Sequence, residues 1–403
     1  MIRRIKADWN WVSGSFKEIG EVLASRSVCP IRPDSEPFLG RTLLVMHGEP
    51  HSERRKLEGI LFGREALKSY EVTILAPVLQ SSLNDLAIRG RSADGVVRAD
   101  LVPLTRAMLL RISTVLIGLD IDDKPAALEK LNGYLEYILV GTGLEWVKAE
   151  LDEVLPEVLE YKRRYAEEFV APAKERRREL VRRWREGSID RSGLPVDVIT
   201  LLLVHCPDMD DEAFLRECIL FLSASTRTTS SAVIHTVAEL HRWFIAHPED
   251  REHRLGLDFL RGAGMEALRL HPPSPALIRK TTEEMKLSTG RCLESDKMLA
   301  LDLIGANRDP DAFGSNPDDF NPRRETITRH YGHTFGHGPH LCLGLPLVLG
   351  TYARNDDEVD GTLVRFLRAF YEKGLELDTQ HPPQLAPTEQ GGYSTFPVEF
   401  RSL

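Results

Sequence analysis

A single cysteine, Cys342, lies among glycines and histidines in the stretch TFGHGPHLCLG at residues 334–344. A thiolate ligates a metal when the metal and nearby donors lower its pKa, and backbone N–H groups do this well where the chain curls around the sulfur. The glycines of this stretch allow such a curl, because glycine tolerates positive φ and close approach to the backbone. Pro346 suits the first turn of a following helix, whose N-terminal dipole favours an anionic sulfur. The stretch therefore predicts a metal-ligating thiolate.

The same stretch matches a six-position pattern, F-G-x-G-x-H-x-C-x-G, at Phe335, Gly336, Gly338, His340, Cys342 and Gly344. This pattern resembles the heme-ligand signature of the cytochrome P-450 family, in which the cysteine ligates the iron of heme b. Two alternatives remain open from the residues alone: an inert cysteine in a glycine-rich loop, and a zinc site made by His333, His337, His340 and Cys342. The zinc interpretation leaves the glycines and Phe335 unexplained.

Two further motifs extend the resemblance. Glu266 and Arg269 in EALR lie at i, i+3 on one helix face, as an exposed helical pair also would. They match the E-x-x-R pair of the family, and the resemblance implies that Arg324 of FNPRR joins them in a buried ion network.

The propionates of heme need cationic partners, which arginine and histidine supply through charge-assisted hydrogen bonds. The resemblance assigns this role to four residues and also places three residues of the cysteine loop against the cofactor. The four are His51, Arg55, Arg279 and His340, and the three are Phe335, Gly336 and Gly344.

The helix predicted to carry the proton chemistry departs from the family. The family reads roughly A-G-x-(acid)-T-T there, and the alcohol and the acid deliver protons while dioxygen is cleaved. In this sequence Thr228 keeps the alcohol, Ser225 replaces the glycine and Arg227 replaces the acid. Arginine stays protonated in proteins, so it cannot act as a carboxylic acid. Three interpretations of Arg227 remain: a structural replacement, a clamp for a substrate carboxylate, and a part of an altered proton path through water and Ser225.

The elements that position these residues are predicted to be mainly α with a small β region. Residues 143–187 indicate two long amphipathic helices interrupted near Ala171 and Pro172, and residues 210–246 indicate one helix with a Ser/Thr-rich centre. Short strands are expected in LIRKTTEEMKLSTG and KMLALDLIG. The resemblance implies a cytochrome P-450 fold, a single domain over residues 1–403 with a reduced N-terminal helix and strand region.

The predicted substrate pocket is apolar, and little of the chain is expected to cover it on one side. Residues 27–46 leave little room for a covering helix, so we expect a short or open roof on that side. The resemblance places the walls at the distal helix, after the paired prolines, in residues 135–150 and in residues 391–395. The wall residues named by this argument are Leu222, Ala224, Ala276, Leu277 and Tyr393. An apolar small molecule fits such a lining.

Composition narrows the classes of function. The chain has 403 residues, is 42% hydrophobic and carries a net charge of −9, which argues against nucleic acid or an anionic membrane as partner. The sequence predicts neither a secretory signal nor a membrane span, and its five scattered cysteines suit a reducing cytoplasm.

The leading hypothesis is a cytoplasmic heme-thiolate monooxygenase that inserts one oxygen atom of dioxygen into an apolar small molecule. No flavin or iron–sulfur segment is evident, so the resemblance implies electrons from a separate ferredoxin and ferredoxin reductase. Arg227 motivates a second hypothesis, a peroxide-driven oxygenase or a redox-neutral heme-thiolate enzyme. A third is a non-catalytic heme protein that binds a gas or another ligand.

Overall fold

The computed structural model describes residues 10–12, 15–90, 95–121, 123–147, 149–326, 328–351, 358–386 and 392–403. The predicted reduction of the N-terminal helix concerns residues 1–9, which lie outside the described residues. Helices dominate the described chain, and short strands are concentrated near its ends, so the predicted fold class, mainly α with a small β region, is confirmed.

The α-helices, numbered in chain order, are α1 Phe16–Ala24, α2 Glu36–Leu39, α3 Gly48–Glu58, α4 Arg64–Tyr70, α5 Ala76–Gly90, α6 Leu101–Ile117, α7 Pro125–Gly141, α8 Leu151–Tyr165, α9 Ala171–Arg185, α10 Val198–His205, α11 Asp211–Ala246, α12 Leu257–Leu270, α13 Leu303–Ala306, α14 Pro310–Phe313, α15 Leu345–Leu349 and α16 Thr362–Glu372. The strands are β1 Asn10–Val12, β2 Val28–Pro30, β3 Val97–Asp100, β4 Ala276–Thr281, β5 Met285–Lys286, β6 Cys292–Leu293, β7 Met298–Asp302, β8 Leu375–Leu377, β9 Gln384–Leu385, β10 Tyr393–Thr395 and β11 Pro397–Phe400.

The chain divides into two compact units, and neither is continuous in sequence. The first unit comprises residues 1–30, 68–108 and 228–403, and the second comprises residues 31–67 and 109–227. Helix α11 supplies residues to both units, because the division falls between Arg227 and Thr228.

The first unit contains the sheets. Its largest sheet has the strand order β1-β7-β4-β2, with β1 parallel to β7 and the other neighbours antiparallel. A second sheet has the order β3-β11-β8 and is antiparallel. Apolar side chains from α1, β2 and β7 form a buried core beside the larger sheet, with Ile19, Val22, Leu299 and Leu301 fully enclosed. This core anchors the elements that carry the cysteine loop.

The second unit contains helices joined by loops, and its described residues form no strand. Its core gathers apolar residues from α7, α8, α10 and the first half of α11, among them Leu135, Ile138, Val198, Ile199 and Ile219. Burial of these side chains removes apolar surface from water, which is the main favourable contribution to folding.

Two long helices each contain a π-helical turn directly before an Ala-Pro dipeptide. The π turns span Glu71–Leu75, between α4 and α5, and Ala166–Val170, between α8 and α9. A proline inside a helix removes one N–H donor and clashes with the preceding turn, and a widened turn relieves that conflict. The predicted interruption near Ala171 and Pro172 therefore exists, and it is a π turn within a continuous helical rod.

Residues 27–46 contain only β2 and the four-residue helix α2. These twenty described residues form no long helix, and the short or open roof stays a prediction. No helix among the described residues is both long and apolar enough to cross a membrane.

Candidate functional site

The cysteine loop is held by its own backbone and leaves Cys342 exposed. The Cys342 N–H donates to the Phe335 carbonyl oxygen at 2.8 Å, and the Gly336 N–H donates to the His333 carbonyl oxygen at 2.7 Å. Gly338 has φ +65°, and a Cβ there would lie 2.7 Å from the Cα of Ala24 in α1, so only glycine fits. The side chain of Cys342 is exposed. The loop therefore offers an accessible sulfur on a fixed backbone.

The helix that follows the cysteine is present but very short. Helix α15 has five residues, and it ends at Gly350, which has φ +79°. From the sequence, the dipole of this helix was expected to help stabilise the thiolate. A helix of this length aligns few peptide dipoles, so that expectation is corrected: the dipole contributes little.

His333 has a structural role in the same unit. Its ring stacks on Phe16 with centroids 3.8 Å apart, and its Nε2 lies 2.8 Å from the Phe16 carbonyl oxygen. Burial lowers the pKa of His333 to about 4. Among the described residues, no three His, Cys, Asp or Glu side chains are arranged to hold a metal ion. The zinc alternative therefore has no support from the geometry.

Glu266, Arg269 and Arg324 form one buried ion network. The Arg269 Nη2 and Nε atoms donate to the two Glu266 carboxylate oxygens at 2.7 and 2.8 Å, and the Arg324 Nε donates to Glu266 Oε1 at 2.7 Å. Backbone carbonyl oxygens of residues 307, 313, 316, 317 and 319 accept most of the remaining guanidinium hydrogens. Arg269 is fully buried and Glu266 nearly so. The network fixes the chain before the cysteine loop to helix α12.

Arg279 and His340, both predicted to bind propionates, belong to the first unit. Arg279 lies on β4, is buried, and its Nη1 donates to the carbonyl oxygen of its neighbour Ile278 at 2.8 Å. His340 closes a 3₁₀ turn at Gly338–His340, two residues before the cysteine.

His51 and Arg55 belong to the second unit and lie one turn apart on α3. His51 is buried, and its pKa is lowered first by this burial and then by the charge of Arg55. An imidazole in this setting is neutral at neutral pH and can accept or donate one hydrogen bond at each ring nitrogen. The roles of all four residues toward heme stay predictions.

The hydroxyl-rich centre of α11 bonds largely to its own helix. The Ser225 hydroxyl donates to the Phe221 carbonyl oxygen at 2.6 Å, and the Thr226 hydroxyl donates to the Leu222 carbonyl oxygen at 2.8 Å. Ser225 Oγ also lies 2.6 Å from Ser113 Oγ on α6. Such bonds compensate for the poor helix propensity of serine and threonine.

Arg227 points toward the segment that follows α7. Its Nη1 lies 3.7 Å from the position that a Cβ on Gly143 would occupy, and Trp146 approaches the same position equally closely. Ala224, one turn earlier, is exposed although it lies in the middle of a 36-residue helix. Thr228 is partly buried. The helix therefore has an accessible stretch at its centre, next to the residues predicted to handle protons.

The five predicted pocket residues divide by exposure. Leu222 and Ala276 are fully buried and offer no accessible side-chain surface, whereas Ala224, Leu277 and Tyr393 retain some. The Tyr393 ring packs edge-on against Phe396 at 4.9 Å. Lys148 and Gly391, which fall inside the predicted wall segments, lie outside the described residues.

Two features of the second unit escaped the sequence argument. One is a cluster of buried charge made by Arg54, Glu58 and Glu217, in which both carboxylates are fully buried. The other is Arg32, whose Nη1 is buried without a hydrogen-bond partner. The one available signal was the isolated acid Glu217, which stands in the otherwise apolar stretch ECILFL.

Comparison with known proteins agrees with this geometry. The family model for cytochrome P-450 matches residues 250–349, which include the ion-network glutamate and the cysteine loop. Cytochrome P-450 119 of Sulfolobus acidocaldarius is 26% identical over 306 residues, which are 76% of this chain and 70% of that protein. The erythromycin C-12 hydroxylase of Saccharopolyspora erythraea is 35% identical over 132 residues, 30% of this chain and 31% of that enzyme.

A solved structure extends the likeness to nearly the whole chain. The crystal structure of CalO2 superposes with a TM-score of 0.73 at 20% identity, and the match covers 98% of this chain and 94% of that one. An accessible thiol on a glycine-pinned loop, braced by a glutamate–arginine network, fits a heme-thiolate cofactor. The family model and these relatives support the assignment of the chain to the cytochrome P-450 family of heme-thiolate monooxygenases.

Proposed function

We propose that the protein uses heme b to insert one oxygen atom of dioxygen into a small molecule with a largely apolar body. The second oxygen atom leaves as water, and the reaction consumes two electrons and two protons. The observation that carries the proposal is the exposed Cys342 thiol on its fixed loop. When bound, heme supplies the redox chemistry, and a thiolate ligand favours cleavage of the O–O bond. Residues 1–403 then act as one cytochrome P-450 domain, which the near-complete match to a solved family member supports.

The chain's own residues would bind the cofactor and move protons. Arg279, His340, His51 and Arg55 would hold the propionates through charge-assisted hydrogen bonds. Thr228 would present its hydroxyl to the reacting centre. Ser225 lies 2.6 Å from Ser113, so a proton that reaches Ser225 has a second hydroxyl to move to. A proton path of hydroxyls and water would thus replace the missing acid.

The electrons would come from outside the chain. We propose a ferredoxin and its reductase as donors, and Arg323, Arg324 and Arg329 as contacts for an acidic partner. Arg324 is largely occupied by the ion network and Arg323 pairs with Asp250, so both would exchange these partners for the acidic groups of a docked protein. We also place the reaction in the cytoplasm, because the scattered free cysteines suit a reducing compartment.

A second candidate, peroxide-driven oxygenation, is favoured by one observation, the arginine that precedes Thr228. In that case hydrogen peroxide supplies both oxygen and electrons, and Arg227 organises the substrate or the protons. The position of Arg227 beside Gly143 supports the structural interpretation instead, because the side chain extends toward the segment after α7.

Turnover with two electron sources tests these candidates. The holoenzyme is incubated with a panel of apolar small molecules, either with ferredoxin, reductase and dioxygen or with peroxide, and products are read by mass spectrometry. We expect product with the electron chain, and we expect Thr228→Ala to divert electrons into peroxide release. Thr236→Ala is the matched control, because Thr236 bonds to its own helix at Ala232. Product with peroxide alone would favour the second candidate.

A further inference from the structure

Arg32 has one guanidinium nitrogen, Nη1, that no described residue accepts a hydrogen bond from. It lies two residues after β2, in the second unit, and its Nη1 is sealed from solvent without a hydrogen-bond partner. Burial lowers the pKa of the Arg32 guanidinium, and the nearby Glu145 carboxylate opposes that shift. A buried donor left unpaired costs about 1–3 kcal/mol, and more when it is charged. Nη1 of Arg32 therefore needs an acceptor that the described residues do not supply.

The nearby acid is already occupied. The Ser35 N–H donates to Glu145 Oε1 at 3.0 Å, and the Ser35 hydroxyl donates to Glu145 Oε2 at 2.7 Å. The Leu144 N–H in turn donates to the Ser35 hydroxyl oxygen at 3.1 Å. Glu145 thus clamps the segment after β2 to the segment after α7, and it leaves Nη1 of Arg32 unsatisfied. The clamp holds Arg32 in place for another acceptor.

A second guanidinium borders the same segment. Arg227 approaches Gly143, two residues before Glu145, and the indole of Trp146 lies against the same glycine. Asp34, two residues from Arg32, adds a second carboxylate to this region beside Glu145. Phe38 packs on Gly141 nearby, so the surroundings of the charge are aromatic and apolar. Arg227 directly precedes Thr228, the residue proposed to deliver protons.

We propose that Arg32 binds the carboxylate of the substrate, so that the substrate is an apolar molecule with one acidic end. This inference rests on the proposed function and narrows its substrate class. A guanidinium suits this task because its planar fork matches the two oxygens of a carboxylate. The anion supplies the acceptor that Arg32 lacks, and the apolar body extends away from the charge.

Binding to the holoenzyme tests the proposal. Calorimetry compares dodecanoate with dodecanol, which has the same chain but no charge, for wild type, Arg32→Gln and Arg41→Gln. Arg41 is an exposed arginine of the same segment, paired with Asp210, and serves as the matched control. We expect wild type to prefer dodecanoate, and Arg32→Gln to weaken dodecanoate by about tenfold or more with dodecanol unchanged. Arg41→Gln leaves both ligands as in wild type.

Two further measurements keep the assignment open to refutation. Without a carboxylate ligand, Arg32→Met is expected to raise the urea midpoint of the holoenzyme, because it removes an unmet buried charge; a lower midpoint would show that Arg32 is satisfied within the protein and overturn the proposal. The rate of heme transfer to apomyoglobin is expected to be unchanged in Arg32→Gln. Faster heme loss would assign Arg32 to a heme propionate and overturn the substrate assignment.

Calorimetry alone can also refute the assignment of Arg32 as the carboxylate-binding residue. No preference of wild type for dodecanoate, or equal loss of both ligands in Arg32→Gln, contradicts the proposal. If the carbon monoxide spectrum still reports a thiolate ligand in that case, only the substrate class falls. If that spectrum fails, the proposed function falls with it.

Discussion

Two buried charge clusters in this protein use the same residue types in opposite proportion. In the first unit one carboxylate, Glu266, lies between two arginines, and backbone carbonyl oxygens accept the remaining hydrogens. In the second unit two carboxylates, Glu58 and Glu217, face one arginine. If Glu58 is ionised, neither of its carboxylate oxygens accepts a hydrogen bond from a described residue.

The missing partner in the second cluster is a proton. Arg54 Nη1 lies 3.3 Å from Glu217 Oε2 and 3.7 Å from Glu58 Oε1, so it is committed mainly to Glu217. Burial, and then the charge of Glu217, raises the pKa of Glu58 to about 9, and burial raises the pKa of Glu217 to about 7. A protonated Glu58 donates its O–H to Glu217 and satisfies both groups. Buried ion clusters are thus balanced either by a second cation or by a stored proton.

The largest effect is expected from neutralising the balanced network. Glu266→Gln leaves two buried arginines without their anion, and we expect a loss of about 3–5 kcal/mol in the free energy of unfolding. Urea unfolding followed by circular dichroism measures it. The control is Glu160→Gln, which removes two exposed helical ion pairs, to Arg163 and Arg164, and is expected to cost less than about 1 kcal/mol. A loss of similar size in both variants would contradict the account.

The second cluster is expected to make stability depend on pH. A carboxyl whose pKa is higher in the folded than in the unfolded state stabilises fully below its ordinary value of 4.5, and that stabilisation is lost as pH rises through the folded value. The free energy of unfolding should therefore fall between about pH 5 and pH 9, by an amount on the order of a few kcal/mol.

Glu58→Gln isolates that dependence. The amide keeps a donor for Glu217 but never ionises, so the variant should lose less stability than wild type on going from pH 6 to pH 9. Urea midpoints at the two pH values measure the difference. Glu266→Gln should retain the pH dependence of wild type, because it leaves the second cluster intact. Equal slopes in wild type and Glu58→Gln would place the proton elsewhere.

The smallest effect is expected from removing the cation of the second cluster. In Arg54→Met, both carboxyls can remain protonated at pH 6, so we expect a loss of only about 1 kcal/mol there. The loss should grow as pH rises, because no cation remains to balance Glu217. A constant loss across pH would show that Arg54 acts through packing alone.

The sequence predicted one cluster and missed the other for a physical reason. Glu266 and Arg269 are one helical turn apart, and Arg324 lies in a recognisable local motif. The contact between these three residues could therefore be predicted from the sequence. Arg54 and Glu217 are 163 positions apart, and no local pattern joins them. The metal-ligating role of the cysteine loop could likewise be predicted, because glycine, histidine and cysteine at fixed spacing leave few other interpretations.

Details set by packing were not predicted. The early end of α15 at Gly350 and the π turn before Pro77 depend on how the chain meets its neighbours. In the sequence Arg32 resembles an ordinary surface residue between two prolines, and nothing there indicates that its Nη1 atom is buried. Its environment is made by segments more than one hundred positions apart, as the bond between Ser35 and Glu145 shows.

The reduced carbon monoxide spectrum of the heme-loaded protein tests the central claim most directly. The account predicts, for wild type, the red-shifted Soret band that a thiolate opposite carbon monoxide produces. It also predicts loss of that band in Cys342→Ser and its retention in Cys292→Ser, which removes another exposed thiol of the same unit. A wild-type spectrum without that band, or an unchanged spectrum in Cys342→Ser, would contradict the assignment of Cys342 as the iron ligand.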